Sequence, residues 1–218
     1  MNKLSKFGAA MAVVIALTTT VPMSANAAPA ATDGLDEARS FLASHGVAAD
    51  VQDRLISEFQ AGEAWDSFSS DAVPVETTSA LEGGYLKTVA HYADGSVSVS
   101  RVEQPKAKPK GVVGTLSSPN GCSVSGNMRN DCNVDMWVGV VSMGFKASYN
   151  VSTNKVTNVY GAQYTVGGAC GVSHTLGRPA GNIGRLDVYA SMCVVGYQSS
   201  FFLQVTLRNG VATESWNG

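Results

Sequence analysis

The sequence predicts a mainly β protein, α+β overall: an antiparallel β-sandwich or small barrel behind an N-terminal helical hairpin and a β-hairpin. Three observations predict it. Apolar residues alternate with polar ones at period two over most of the chain after Val113, as half-buried strands require. Asp94-Gly95 and Asn209-Gly210 stand between such runs, and these dipeptides readily adopt the positive φ angles of tight hairpin turns. Charged residues are only 15% of the chain while glycine numbers 23, the balance of an extracellular β-rich protein.

Residues 1–27 read as a secretory signal peptide. Lys3 and Lys6 precede an apolar run of 11 residues, Phe7 to Leu17, and the segment closes with Ala25-Asn26-Ala27, a small-residue cleavage site. Crossing a bilayer core takes about 20 apolar residues, so the segment reads as a cleaved leader rather than an anchor, with Ala28 as the expected mature start. No cysteine stands at the cleavage point to accept a lipid. The carboxyl end, Thr213 to Gly218, has neither an apolar tail nor a basic stop signal. Release from the cell, with no membrane partner after cleavage, is the expectation. Cleavage removes two of the 15 basic residues and none of the 17 acidic ones. A weakly acidic chain without a basic stripe lacks the charge on which nucleic-acid affinity rests, so no nucleic-acid partner is expected.

The mature chain divides into 28–103, 104–112 and 113–218. In the first part, Leu35, Ala38, Phe41 and Leu42 share one helical face up to a stop at Gly46. Val51, Leu55 and Phe59 then recur at i, i+4, i+8 up to Gly62, which predicts a helical hairpin over residues 33–62. Asp50 and Asp53 near the start of the second helix suit its dipole. Helices this short are marginal alone, so their apolar faces are expected to pack on their own chain. Residues 69–80 mix Ser, Thr, Pro and acids without a period and read as a loop. Tyr85 to Glu103 alternates around Asp94-Gly95. With a two-residue loop, Tyr92 faces Val97 and Ala90 faces Val99. That register gathers Leu86, Ala90, Tyr92, Val97 and Val99 on one side and Lys87, His91, Ser98 and Ser100 on the other.

Gln104 to Gly111, with Pro105, Pro109, Lys106, Lys108 and Lys110, reads as an extended linker. Its lysines serve either plain solubility or attraction to an anionic cell-wall polymer. In the third part, Val134 to Tyr149 reads as one long strand, with Trp137, Val141, Met143, Phe145, Ala147 and Tyr149 on a shared face and bends at Gly139 and Gly144. Val156 to Val166 follows, with Val156, Tyr160, Ala162, Tyr164 and Val166 inward. Cys170 to Leu176, Leu186 to Val195 and Phe201 to Leu207 come next, and Asn209-Gly210 turns into Val211 to Trp216. Six or seven antiparallel strands in this stretch point to a sandwich or a small barrel.

The chain has four cysteines, Cys122, Cys132, Cys170 and Cys193, an even number that reads as two disulfides in an oxidising compartment. Three connectivities are open, and turn chemistry favours sequential pairing. The midpoint of Cys122 and Cys132 falls on Asn127 beside Gly126, and that of Cys170 and Cys193 falls near Ala180 to Ile183, at the turn-forming run from Gly177 to Asn182. Each closure is worth about 3 kcal/mol in the loop-entropy model. The spacings lack the C-x-x-C knuckles of structural zinc sites, and no metal is expected on the cysteines.

The search for catalytic chemistry finds no motif. His45 ends the first helix, His91 lies on the polar face of the Asp94-Gly95 hairpin, and His174 follows Ser173 in a strand. None stands at metal-ligand spacing. Gly121 to Gly126 approaches G-x-S-x-G without matching it. A Ser-His-Asp assembly from Ser173 or Ser191, His174 and Asp187 is conceivable, but Ser173 and His174 are adjacent and point to opposite faces of a strand. Asp131-Cys132-Asn133-Val134-Asp135 starts like a calcium loop, then places Met136 where the sharp turn needs Gly and Ser142 where a bidentate Glu belongs. An Asn/Asp-rich turn is the plainer reading. Trp65, Tyr85, Tyr197 and Trp216 are candidates for a sugar-stacking platform or for core and rim packing. Glu214 is the only glutamate after residue 113, too few for a pair of glycosidase carboxylates there.

Three stretches occur in order ahead of the cysteine-containing region: Gly46-Val47 followed by Leu55-Ile56, then Gly62-Glu63-Ala64-Trp65-Asp66-Ser67, then Tyr92-Ala93-Asp94-Gly95-Ser96-Val97-Ser98. This arrangement resembles uncharacterised secreted proteins of Gram-positive bacteria. The resemblance implies secretion, no particular activity and no catalytic residue. The expected function is therefore non-catalytic, a binding or structural role at the cell surface or in the medium. The sequence does not identify the partner; cell-wall polysaccharide and another secreted protein are the candidates, and no cofactor is implied. A secreted hydrolase without a known motif, or a protease inhibitor presenting Gly177 to Asn182, is the alternative. A deep polar cleft joining His174 or His91 to an acid and a nucleophile would favour the enzyme; a shallow aromatic strip would favour carbohydrate binding.

Overall fold

The computed structural model describes residues 33–69, 71–105, 121–192 and 198–216. The leader expected at 1–27, residues 106–112 of the linker, Cys193 and Tyr197 lie outside them. Two helices, α1 (Asp33–Ser44) and α2 (Ala49–Gln60), and a one-turn 3-10 helix, Asp66–Phe68, come first. The strands are β1 (Glu76–Glu82), β2 (Tyr85–His91), β3 (Val97–Glu103), β4 (Ser123–Ser125), β5 (Met128–Val138) and β6 (Val141–Asn150), then β7 (Lys155–Val166), β8 (Ala169–Ala180), β9 (Ile183–Met192), β10 (Gln198–Arg208) and β11 (Val211–Trp216).

All strand pairs are antiparallel. The larger sheet has the order β1-β2-β3-β5-β6-β7 with β4 added on β5, and the smaller has the order β11-β10-β9-β8. The chain is thus a meander that leaves one sheet for the other between β7 and β8. The smaller sheet packs across the larger one, with β11 over β3, β10 over β5 and β6, and β9 over β6 and β7. The result is a mainly β, sandwich-like α+β fold. Its core alternates at the strand period: Cys132, Val134, Met136 and Val138 from β5 meet Leu186, Val188, Leu203 and Val205 from the facing sheet, all buried.

The helical hairpin caps one end of the sandwich. Ala38, Leu42, Leu55 and Phe59 turn inward and belong to the same core as the strands. Gly46 and Gly62 take φ of +77° and +91°, the left-handed residues that let each helix stop. Residues 62–67 and 92–98 meet here. The Asp66 N–H donates to the Asp94 carboxylate at 2.8 Å, and the Ser67 N–H donates to the Ser96 hydroxyl at 3.0 Å. The 3-10 turn and the β2–β3 turn are therefore one hydrogen-bonded junction, which gives both stretches a structural explanation.

The structure corrects four expectations. Residues 76–80, the end of the stretch read as a loop, belong to β1, paired with β2 across Gly83-Gly84; every residue of that strand is exposed, so no alternation marks it. The β2–β3 hairpin has a three-residue loop, Ala93-Asp94-Gly95, closed by the Gly95 N–H on the Tyr92 carbonyl at 3.0 Å, with Gly95 at φ +84°. His91 therefore faces Val97 and Ala90 faces Ser98. This shift of one residue exchanges the faces of β3 relative to β2. Val134 to Tyr149 is two strands, because Gly139 at φ +50° opens a tight turn that sets Val138 opposite Val141 and Trp137 opposite Ser142. Trp137 consequently leaves the face shared by Val141, Met143 and Phe145. Tyr160 points outward, since an irregularity in the β6–β7 register at Gly161, φ +68°, interrupts the alternation before it reaches Tyr160.

Segments 28–103 and 113–218 are joined by more than a linker. Val99, Arg101 and Val102 pair with Trp137, Asp135 and Val134, so β3 and β5 are neighbours in one sheet. Cys122 and Cys132 are joined by a disulfide across the two-residue β4–β5 turn at Gly126-Asn127. Cys170 is also disulfide-bonded. The β8–β9 turn falls at Gly181-Asn182, between Ala180 and Ile183, inside the run expected to turn.

Candidate functional site

The outward face of the larger sheet carries the richest arrangement of polar and aromatic side chains. Register builds it row by row. Lys87, Arg101, Asp135 and Gly144 are successive partners across β2, β3, β5 and β6, while Tyr85 pairs with Glu103, and Val99 pairs with Trp137. Arg101 is the hub. Its Nε donates to the Asp135 carboxylate at 3.0 Å, and its guanidinium carbon lies 4.2 Å from the Tyr85 ring centroid and 4.5 Å from that of Trp137. Tyr85 and Trp137 come from the strands on either side of β3, so the guanidinium is stacked against a ring from each. Glu103 is buried and accepts from the Asn133 backbone N–H at 3.1 Å and from its side-chain amide at 2.7 Å.

Burial pushes the Asp135 carboxyl above the ordinary carboxylate range, while the hydrogen bond and the charge of Arg101 pull it down and the charge of Glu103 pushes it further up. The carboxylate leans over Gly144, where a Cβ would stand 2.6 Å from Oδ1. Glycine at this position makes room for the ion pair.

Beside this hub α1 closes a groove of about 460 Å³, lined by Phe41, His45, Glu82, Gly83, Tyr85, Lys87, Val99, Arg101 and Trp137. That volume lies in the range of small-ligand sites. Lys87 pairs with Glu82 at 3.0 Å on the rim. The His45 ring lies 4.6 Å from that of Phe41, and its Nδ1 is 2.9 Å from the Phe41 carbonyl oxygen. A carbonyl can only accept, so Nδ1 carries a proton. The groove thus offers aromatic walls, guanidinium and ammonium donors, a carboxylate acceptor and an imidazole.

The residues singled out from the sequence fall in different places. Tyr85 is in the groove. Trp65 is buried beneath the helices, where its indole N–H donates to the Leu55 carbonyl at 2.6 Å, and Trp216 is buried at the end of β11. His91 sits between Glu76 and Val97 in the sheet. His174 Nδ1 lies 3.0 Å from the Tyr164 hydroxyl, and Asp187 accepts from Arg185 Nε at 2.7 Å. Ser173 and Ser191 share a second groove, of about 530 Å³, with Tyr189 and Ser200, and neither His174 nor Asp187 lines it. The structure therefore does not assemble these residues into a triad. Asp131, Asn133 and Asp135 are likewise taken by separate partners, namely Tyr160, Glu103 and Arg101. Among the described residues no group of three His, Cys, Asp or Glu side chains is placed to hold a metal.

Reading the sequence missed Arg101, Trp137, Phe41 and Glu103 as site residues. The signal was present in the spacing around Asp94-Gly95: a three-residue loop sets Val97, Val99, Arg101 and Glu103 on one face with Tyr85 and Lys87. No family model matches the chain, and no curated protein or solved structure matches it either.

Proposed function

We propose that this is a secreted, extracellular, non-catalytic binding protein and that its groove between α1 and the larger sheet recognises polysaccharide. The observation that carries this reading is the aromatic wall of Tyr85 and Trp137 beside Arg101, Lys87, Glu82 and His45. Pyranose rings present apolar C–H faces and polar hydroxyl rims. A site that pairs flat rings with short, fixed donors and acceptors meets both. The basic start, apolar run and Ala-x-Ala exit of residues 1–27 support an extracellular setting in which cell-wall polymers are the abundant ligands.

Co-sedimentation of the mature protein with insoluble cell-wall polysaccharides and peptidoglycan tests the reading. Binding is expected and should fall at least tenfold in Trp137→Ala. It should persist in Tyr189→Ala, which alters an exposed ring on the outer face of the smaller sheet. Binding that Trp137→Ala leaves intact would remove the groove from the proposal.

A further inference from the structure

We propose that Arg101 reads a carboxylate in this groove, so that the ligand is an acidic polysaccharide built of uronic-acid residues. The inference rests on the polysaccharide reading above and adds the chemical class of the sugar.

Arginine has five N–H donors in a planar fork. Arg101 uses the one on Nε for Asp135, and among the described residues its four terminal N–H groups make no hydrogen bond. The side chain lines the groove and remains 37% exposed. Tyr85 and Trp137 flank the guanidinium and Asp135 holds its Nε, so little conformational freedom is left for a ligand to remove.

A planar carboxylate matches this fork and can accept two parallel hydrogen bonds from the terminal N–H groups. Arg101 is paired with Asp135 and Lys87 with Glu82, so the terminal N–H groups of Arg101 are the directed contact that the groove offers an anion. The sugar ring bearing the carboxylate would lie along Trp137 and Phe41, beside His45.

The test is calorimetric titration of the mature protein with three probes: an oligogalacturonate, its carboxyl-reduced neutral counterpart, and a glycerol-phosphate polymer. Oligogalacturonate is expected to bind at least tenfold more tightly than the other two. Arg101→Lys, which keeps the charge and loses the fork, should remove that preference. Equal affinity for the reduced oligomer, or tighter binding of the phosphate polymer, would overturn the carboxylate assignment while leaving polysaccharide binding in place. Failure of all three probes together with failure of the co-sedimentation would sink both. The comparison among probes uses the unaltered protein, so it decides the matter even if Arg101→Lys fails to fold.

Discussion

Asp66 and Asp94 cap each other's backbone. The Asp66 N–H donates to Asp94 Oδ2 at 2.8 Å, and the Asp94 N–H donates back to Asp66 Oδ2 at 3.3 Å. The other Asp94 oxygen accepts from the Ser96 N–H at 2.8 Å, and Arg54 donates to the Asp94 carbonyl. One side chain therefore shapes its own turn and fastens it to the helical cap. Asp94→Ala should lose about 2 to 4 kcal/mol, since two donors to a charged acceptor are abandoned. Chemical denaturation checks this, and Asp94→Asn, which keeps an acceptor oxygen, should lose less.

Trp65 lies on Gly139, and a Cβ at that glycine would overlap the indole ring. Gly139 also needs φ of +50° to make the β5–β6 turn. Gly139→Ala therefore meets steric overlap and backbone strain together and should cost about 2 to 4 kcal/mol. Trp65→Ala should cost about 3 to 5 kcal/mol, the usual loss for a buried large aromatic. Combining the two should cost less than the sum, because removing the indole frees the space that the new methyl needs; a double-mutant cycle reads that coupling.

Tyr160 donates to the Asp131 carboxylate at 2.6 Å. This hydrogen bond, with smaller contributions from burial and from the Asp131 charge, pushes the Tyr160 phenol up to about 12 from its ordinary value of 10.0. The folded state then holds the phenolic proton more tightly than the unfolded chain. The contribution to stability is full below the ordinary phenol value and is lost as pH rises from there through the raised one. Absorbance titration near 295 nm should find this late-ionising tyrosine in the folded protein, and Asp131→Asn should bring it back towards the ordinary value.

The Cys122–Cys132 bridge closes the β4–β5 hairpin with both residues buried. Non-reducing peptide mapping should recover Cys122 linked to Cys132 and Cys170 linked to Cys193. Replacing Cys122 and Cys132 together by Ala should cost about 2 to 5 kcal/mol and lower the denaturation midpoint accordingly. An unchanged midpoint would mean that β4 is dispensable to the sheet.

Local chemistry by itself determined the helical hairpin with its glycine stops, the Asn209-Gly210 turn, and the Cys122–Cys132 pairing across Gly126-Asn127. Each depends on residues close in sequence: a helical stripe, two left-handed turn residues, two thiols equidistant from a turn. Tertiary structure decided which way β3 faces. Val97, Ser98, Val99 and Ser100 are all buried, because β3 has β11 on one side and the region of α1 on the other. A strand covered on both faces has no polar alternation to announce its register. The three-residue loop that sets it is held by N–H groups of Asp66 and Ser67, nearly 30 residues away. The groove followed the same rule. Arg101, Trp137, Tyr85 and Phe41 lie on four different elements, and only the pairing of β2, β3 and β5 beneath α1 brings them to one place.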